Sequence, residues 1–188
     1  MRRIRAFVAI PLSAEVMQKA AQVQRTLAES LPGMNWVRSE GMHLTLRFFA
    51  SIDEETLDEI GEVMLSVGLL IPPFRIEARG VGAFPSAGRP RVIWLGLRHD
   101  EPLRNLHAAL EEELEGIGIP AEERRFKPHL TLGRARRRLP PAQEVLKPYQ
   151  DFSGGTMPAD RLILFESRLQ PSGAIHLPLK TVALAGQV

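Results

Sequence analysis

The sequence predicts a mixed α/β protein of the α+β type, built as two duplicated lobes packed as one unit around a central cleft. Three observations carry that prediction. The tetrapeptide His43-Leu44-Thr45-Leu46 returns as His129-Leu130-Thr131-Leu132, 86 positions on, from 43 to 129. The same offset sets Ala6–Ile10 against Val92–Gly96 and Phe74–Ala78 against Asp160–Leu164. No linker rich in Gly and Ser separates the halves. With five histidines and six threonines in 188 residues, two chance matches of His-x-Thr in identical leucine frames are improbable. Only two units are visible, so the pattern is a duplicated lobe and not a solenoid, which needs three or more. The repeats run from about 4 to 88 and from about 89 to 184 of a single domain spanning 1–188.

The elements follow in order. Residues Ile4 to Pro11 form a short apolar run compatible with a buried strand. Ser13 is a suitable N-cap, and Val16, Ala20, Val23 and Leu27 share one helical face until Leu31-Pro32-Gly33. Trp36-Val37 and the first motif strand, about Met42 to Phe49, come next. Ser51 to Glu55 opens a second helix with carboxylates at the positive end of its dipole. Leu57, Ile60, Met64 and Val67 line its core face, and Ile71-Pro72-Pro73 ends it. Phe74–Phe84 and Arg91–Leu97 read as strands joined by the turn-like 85–90 segment. A helix from about Glu101 to Glu115, with Leu103, Leu106, Leu110 and Leu114 on one face, leads into the second motif strand. A short helix over about Pro141 to Tyr149 and a Gly-rich turn at Gly154-Gly155 follow. Two last strands, about Thr156 to Leu169 and Ala174 to Val182, close the chain.

Composition bounds the function. The chain is 44% hydrophobic and 24% charged, ordinary for a soluble globular protein. A net charge of +2 is only mildly basic, so attraction to nucleic acid must come from local arginine clusters. With no cysteine there is no disulfide and no thiolate metal site, which suits a reducing cytoplasm. Met1-Arg2-Arg3-Ile4-Arg5 before an apolar run has the look of a leader. The run ends at Pro11 after five residues, short of the roughly 7–15 a leader core needs. No segment approaches the roughly 20 apolar residues of a membrane span. A cytoplasmic monomer is expected.

On a strand, His43 and Thr45 project together while Leu44 and Leu46 project the other way, and the second copy repeats this. A single His-x-Thr would read as the solvated face of a half-buried strand. Two copies facing each other across a cleft would bring two imidazoles and two hydroxyls to one point. Histidine titrates near neutrality, so one ring can take a proton while the other gives one. Splitting a cyclic phosphodiester with water needs both events, and the threonine hydroxyls can bind the nonbridging oxygens. Two histidines without cysteine, His-Glu-x-x-His or adjacent acidic ligands make a poor first shell for zinc or iron, so no metal is expected. There is no Gly-x-Ser-x-Gly elbow and no Gly-x-x-x-x-Gly-Lys nucleotide loop.

The two motifs, with Arg125-Phe126-Lys127-Pro128 leading into the second, resemble the two-histidine phosphoesterase superfamily. The nearest branch is the bacterial and archaeal RNA 2′,3′-cyclic phosphodiesterases, also called 2′-5′ RNA ligases. The likeness extends to Arg5–Ile10, Arg91–Gly96 and Leu164–Arg168, nearly the whole chain. It implies a bilobal fold with pseudo-two-fold symmetry, each lobe a mainly antiparallel sheet with helices. It also implies a site of His43, Thr45, His129 and Thr131 without cofactor. The implied reaction is ATP-independent hydrolysis of RNA 2′,3′-cyclic phosphate ends to 2′-phosphates, on tRNA fragments, other RNA ends or small cyclic nucleotides. By analogy His129 activates water and His43 protonates O3′. ATP-independent 2′-5′ ligation and a non-catalytic RNA-binding module are the alternatives. Where the family often has Phe-Leu-Gly after the first motif, this chain has Phe48-Phe49-Ala50.

Further candidates are weaker. Arg47 continues the His43/Thr45 face by alternation, towards substrate phosphate or towards solvent. Arg134 matches an arginine often found after the second family motif, and strict alternation points it away from His129 unless a bulge intervenes near Gly133. The basic residues from Arg124 to Arg138 form either an RNA-backbone track or a solvated face. Phe48 and Phe126 are nearest the motifs for base stacking, or else core. His99, His107 and His176 lack a threonine partner and are not expected to be catalytic; Trp36 and Trp94 are expected to pack.

Overall fold

The computed structural model describes residues 2–98, 100–170 and 173–186. Its nine strands form two antiparallel sheets, and their order shows how the duplication is used. The first sheet runs β3 (Leu44–Ile52), β1 (Ile4–Ile10), β8 (Arg161–Gln170), β9 (Gly173–Ala183). The second runs β2 (Met34–Trp36), β6 (His129–Ala135), β5 (Val92–Leu97), β4 (Phe74–Phe84), β7 (Ser153–Ala159). Setting β2 aside, β3-β1-β8 and β6-β5-β4 correspond strand for strand at the 86-residue offset, and β9 and β7 occupy the matching edge places. Each sheet therefore draws strands from both halves of the sequence: β4 lies beside β5, and β8 lies beside β1.

Helix α1 (Ala14–Ser30) is capped by the Ser13 hydroxyl, which accepts from the Val16 amide at 3.3 Å. Its predicted face, Val16, Ala20, Val23 and Leu27, is buried towards β2, β6 and β7. Helix α2 (Glu54–Leu70) starts within its expected Ser51–Glu55 opening, with Asp53 as the cap, accepting from the Thr56 amide at 3.0 Å. It packs Ile60, Met64 and Val67 on β8 and β9 and lies against α3 (Glu101–Gly116). The expected leucine face of α3 is buried in full. A single turn, α4 (Gln143–Leu146), begins two residues after its expected start. Among the described residues no helix is long and apolar enough to cross a membrane.

Two expectations are corrected here. The stretch read as one strand, Thr156 to Leu169, is two: β7 and β8 belong to different sheets, and the chain crosses between them at Asp160. The sequence cannot reveal that step, because it does not show which sheet a strand joins. Gly154-Gly155 is not a turn but lies within β7. A Cβ at Gly154 would come within 2.9 Å of Ala78 and Leu95; Gly154 is the extra residue where Ala78 pairs with Gly155 and Arg79 with Ser153, and Gly155 beside it has φ of +85°. Glycine serves a close approach and a bulge there. Strand β2 was unexpected, being only three residues long.

Candidate active site

The sheets meet where β3 and β6 lie against each other, which brings the two motif strands together at the cleft. Leu44, Leu46, Leu130 and Leu132 are buried on the core side, and His43, Thr45, His129 and Thr131 are half-buried on the other. Among the described residues, neither threonine hydroxyl is engaged by the protein. The His129 Nδ1 lies 2.6 Å from the Lys127 carbonyl, so Nδ1 carries the hydrogen and Nε2 holds the free lone pair. His43 makes the matching bond to the backbone of Gly41, which like Lys127 precedes its histidine by two residues. Each imidazole is thus fixed by the chain that delivers it.

The two rings sit in different surroundings. His43 stacks on Phe7 at 4.4 Å between centroids and meets His176 edge-on at 5.1 Å. His176 arrives from β9, the far edge of its sheet, which curls round to the turn preceding the first motif. Burial, with the neighbouring His176, pushes the His43 pKa down to about 4, against the partial support of Gly41. His129 meets Phe84 edge-on at 5.0 Å. Its pKa is also lowered, first by burial and then by the Arg134 charge, with the Lys127 carbonyl opposing. His176 is itself held low by burial and by Arg5. In the unliganded protein both motif imidazoles are therefore neutral bases at pH 7.

Matched irregularities decide which neighbours share the reactive face. Val8 pairs with Arg47 and Ala9 with Thr45, so Leu46 is an extra residue; Ile93 pairs with Gly133 and Trp94 with Thr131, so Leu132 is extra. Both bulges fall at the same place in the duplicated motif, and each reverses the alternation after it. Arg134 is thereby brought to the face of Thr131, opposite Val92. Arg47 is carried the other way, correcting its expected reach towards substrate. It is 6% exposed and forms an ion pair with Glu111 of α3 while donating to the Pro120 carbonyl. Its place on the reactive face is taken by Phe48, opposite Phe7, with the Arg5 guanidinium 4.6 Å over its ring.

The second bulge has a support that the sequence reading missed. Buried Gln24 of α1 donates from Nε2 to the carbonyls of Leu132 at 2.7 Å and Val37 at 2.8 Å. The Val37 amide also donates to Leu132. The carbonyl displaced from the ladder is thus satisfied.

Beside His129 opens a pocket of about 260 Å³, walled by Phe84, Trp94 and Phe126 with Arg125 and Lys127 at its edge. Trp94, expected only to pack, forms part of this wall, and Gly82 leaves room for it, since a Cβ there would run into the indole. Phe126 is backed by His107, stacked at 3.9 Å, so it offers the pocket one side of its ring. Trp36 packs over Gly133 as expected. His176 stands beside His43 without a threonine of its own, and His99 lies outside the described residues. Among the described residues, no group of three or more His, Asp or Glu side chains gathers as a metal site.

A duplicated sheet that joins two His-x-Thr strands at one cleft defines a class, the two-histidine phosphoesterases. The LigT like phosphoesterase family matches residues 10–94 and again 95–176, one motif in each match, and this chain belongs to that family. An RNA 2′,3′-cyclic phosphodiesterase of Archaeoglobus fulgidus is 33% identical over 177 residues, covering 94% of this chain and 98% of that one. The enzyme of the same description from Thermotoga maritima is 35% identical, covering 92% and 91%. The crystal structure of TT0787 of Thermus thermophilus superposes with a TM-score of 0.83 at 29% identity, covering 98% of this chain and all of that one.

Proposed function

We propose that this protein is an RNA 2′,3′-cyclic phosphodiesterase that opens the cyclic end to a 2′-phosphomonoester by acid-base catalysis between its two motif histidines. The carrying observation is the pair of neutral imidazoles, each tied through one nitrogen to a carbonyl two residues before it. The descriptions of the Archaeoglobus and Thermotoga relatives supply the substrate class. His129, kept neutral beside Arg134, takes the proton of the attacking water. His43 delivers a proton to O3′ as the P–O3′ bond breaks, which leaves the phosphate on O2′. Thr45 and Thr131 donate to the nonbridging oxygens as charge builds there. His43 is neutral in the free protein, so it gains its proton when the anionic phosphodiester enters, because negative charge favours imidazolium. The working form is a monomer in the cytoplasm, its single domain composed of the two repeats.

The test is hydrolysis of a short RNA with a 2′,3′-cyclic end, with EDTA and without ATP. Turnover to a 2′-phosphate is expected, reduced roughly 10²–10⁴-fold in both His43→Ala and His129→Ala. A folded wild type that turns over no cyclic end overturns the proposal. Tight RNA binding unaffected by either substitution, without turnover, would instead identify a binding module.

A further inference from the structure

The reactive face of β6 continues past Thr131. The bulge at Leu132 brings Arg134 onto it, and Asn35, paired with Arg134 across β2, shares that face. Arg136, one residue beyond the strand, returns its Nη2 to Asn35 Oδ1 at 3.3 Å, so its guanidinium lies over the same surface. His129, Thr131, Arg134 and Arg136 therefore form one row leading from the catalytic histidine to the open end of the sheet. Residues two apart on a strand are spaced by about 6.8 Å, comparable to successive phosphates on an extended RNA chain.

The charges in this row are not neutralised. Arg134 and Arg136 are exposed; among the described residues Arg134 has no carboxylate partner, and Arg136 bonds only the neutral Asn35. By contrast Arg2, Arg47, Arg79, Arg98, Arg161 and Arg168 each pair with a carboxylate. The first motif strand offers no equivalent row: the position matching Arg134 is Phe48, followed two residues on by Ala50. Arg134 and Arg136 thus give this end of the cleft positive charge that no carboxylate among the described residues offsets.

We infer that Asn35, Arg134 and Arg136 form a phosphate track for the RNA chain preceding the cyclic end, so that oligonucleotide ends are preferred to cyclic mononucleotides. The assignment of the terminal phosphate to Thr131 rests on the phosphodiesterase reading. The track itself is tested by binding. A ribotetranucleotide ending in a 2′-phosphate is titrated between 50 and 200 mM salt, with the corresponding 2′-mononucleotide alongside. Wild type should show the steeper salt dependence with the tetranucleotide. Arg136→Ala should weaken that complex about tenfold at low salt and reduce its slope by about 0.7, the value of one single-strand phosphate contact. Arg136→Lys should restore most of the slope, and Arg161→Ala, which removes a distant charge on β8, should match wild type. With cyclic substrates, the ratio of kcat/KM for tetranucleotide over mononucleotide should fall about tenfold in Arg136→Ala. Equal salt slopes for the two ligands in wild type, or an unchanged slope and ratio in Arg136→Ala, overturn the track. Binding that depends on Arg136 without any turnover would uphold the track and remove the hydrolase reading.

Discussion

His43 occupies an environment that works against its own charge, with Phe7 beneath it and His176 at its edge. A histidine whose folded pKa is about 4 binds its proton less readily than in the unfolded chain, where the value is about 6.5. Its contribution to stability is therefore complete above pH 6.5 and is lost as pH falls towards 4, by up to about 3 kcal/mol. Urea denaturation at pH 7 and pH 4.5 should show this loss, and His43→Asn should lose correspondingly less. The same depression acts on turnover. Both limbs of the kcat/KM profile, which reports the free enzyme, should lie below the ordinary imidazole value, whereas kcat, read with the anion bound, should hold to higher pH. A kcat/KM optimum at pH 8 would contradict this. The four motif residues were legible in the sequence because they repeat. His176 was not, because it reaches His43 only through the curl of a sheet whose far edge lies about 130 residues further along the chain.

At the level of elements, the two bulges show where alternation ceases to be a guide. Strict pleating assigned Arg47 to the cleft and Arg134 away from it, and one extra residue in each strand reverses both. The sequence held a partial signal: Arg134 could serve the site only through a bulge, but nothing local required one after Leu46. Gln24 is the support for the second bulge, and a lone glutamine on an apolar helix face gives no hint of a carbonyl 108 residues away. Gln24→Leu should cost about 1–2 kcal/mol, the usual penalty for leaving a buried polar group without its partner. It should also lower kcat more than it raises KM, because the Thr131 to Arg134 register loosens while the pocket walls stay in place. Chemical denaturation and steady-state kinetics on the one variant would measure both effects. Equal stability and kcat would show that the Val37 amide alone suffices.

For the whole molecule, the exchange of strands has a mechanical consequence. Because β4 completes one sheet and β8 the other, neither half of the sequence contains a full sheet, and the lobes should unfold together. Both tryptophans report on the β2-to-β7 sheet, so their fluorescence should lose its native signal at the same urea concentration as far-UV circular dichroism, which samples both sheets. Separate midpoints would show that the lobes are independent. Helix positions and core faces were largely readable from periodicity, but the crossing at Asp160 was not, since it concerns which sheet a strand joins. The exchange also bears on how the cleft came to be uneven. Two half-length chains lending strands to one another would form a two-fold dimer, and such an axis obliges both sides to carry the same residue. Joined end to end in one chain, the sides are released from that obligation. Gly133 can then stand where its counterpart is Arg47, and Arg134 where its counterpart is Phe48, leaving one histidine beside a cation and the other among aromatic rings.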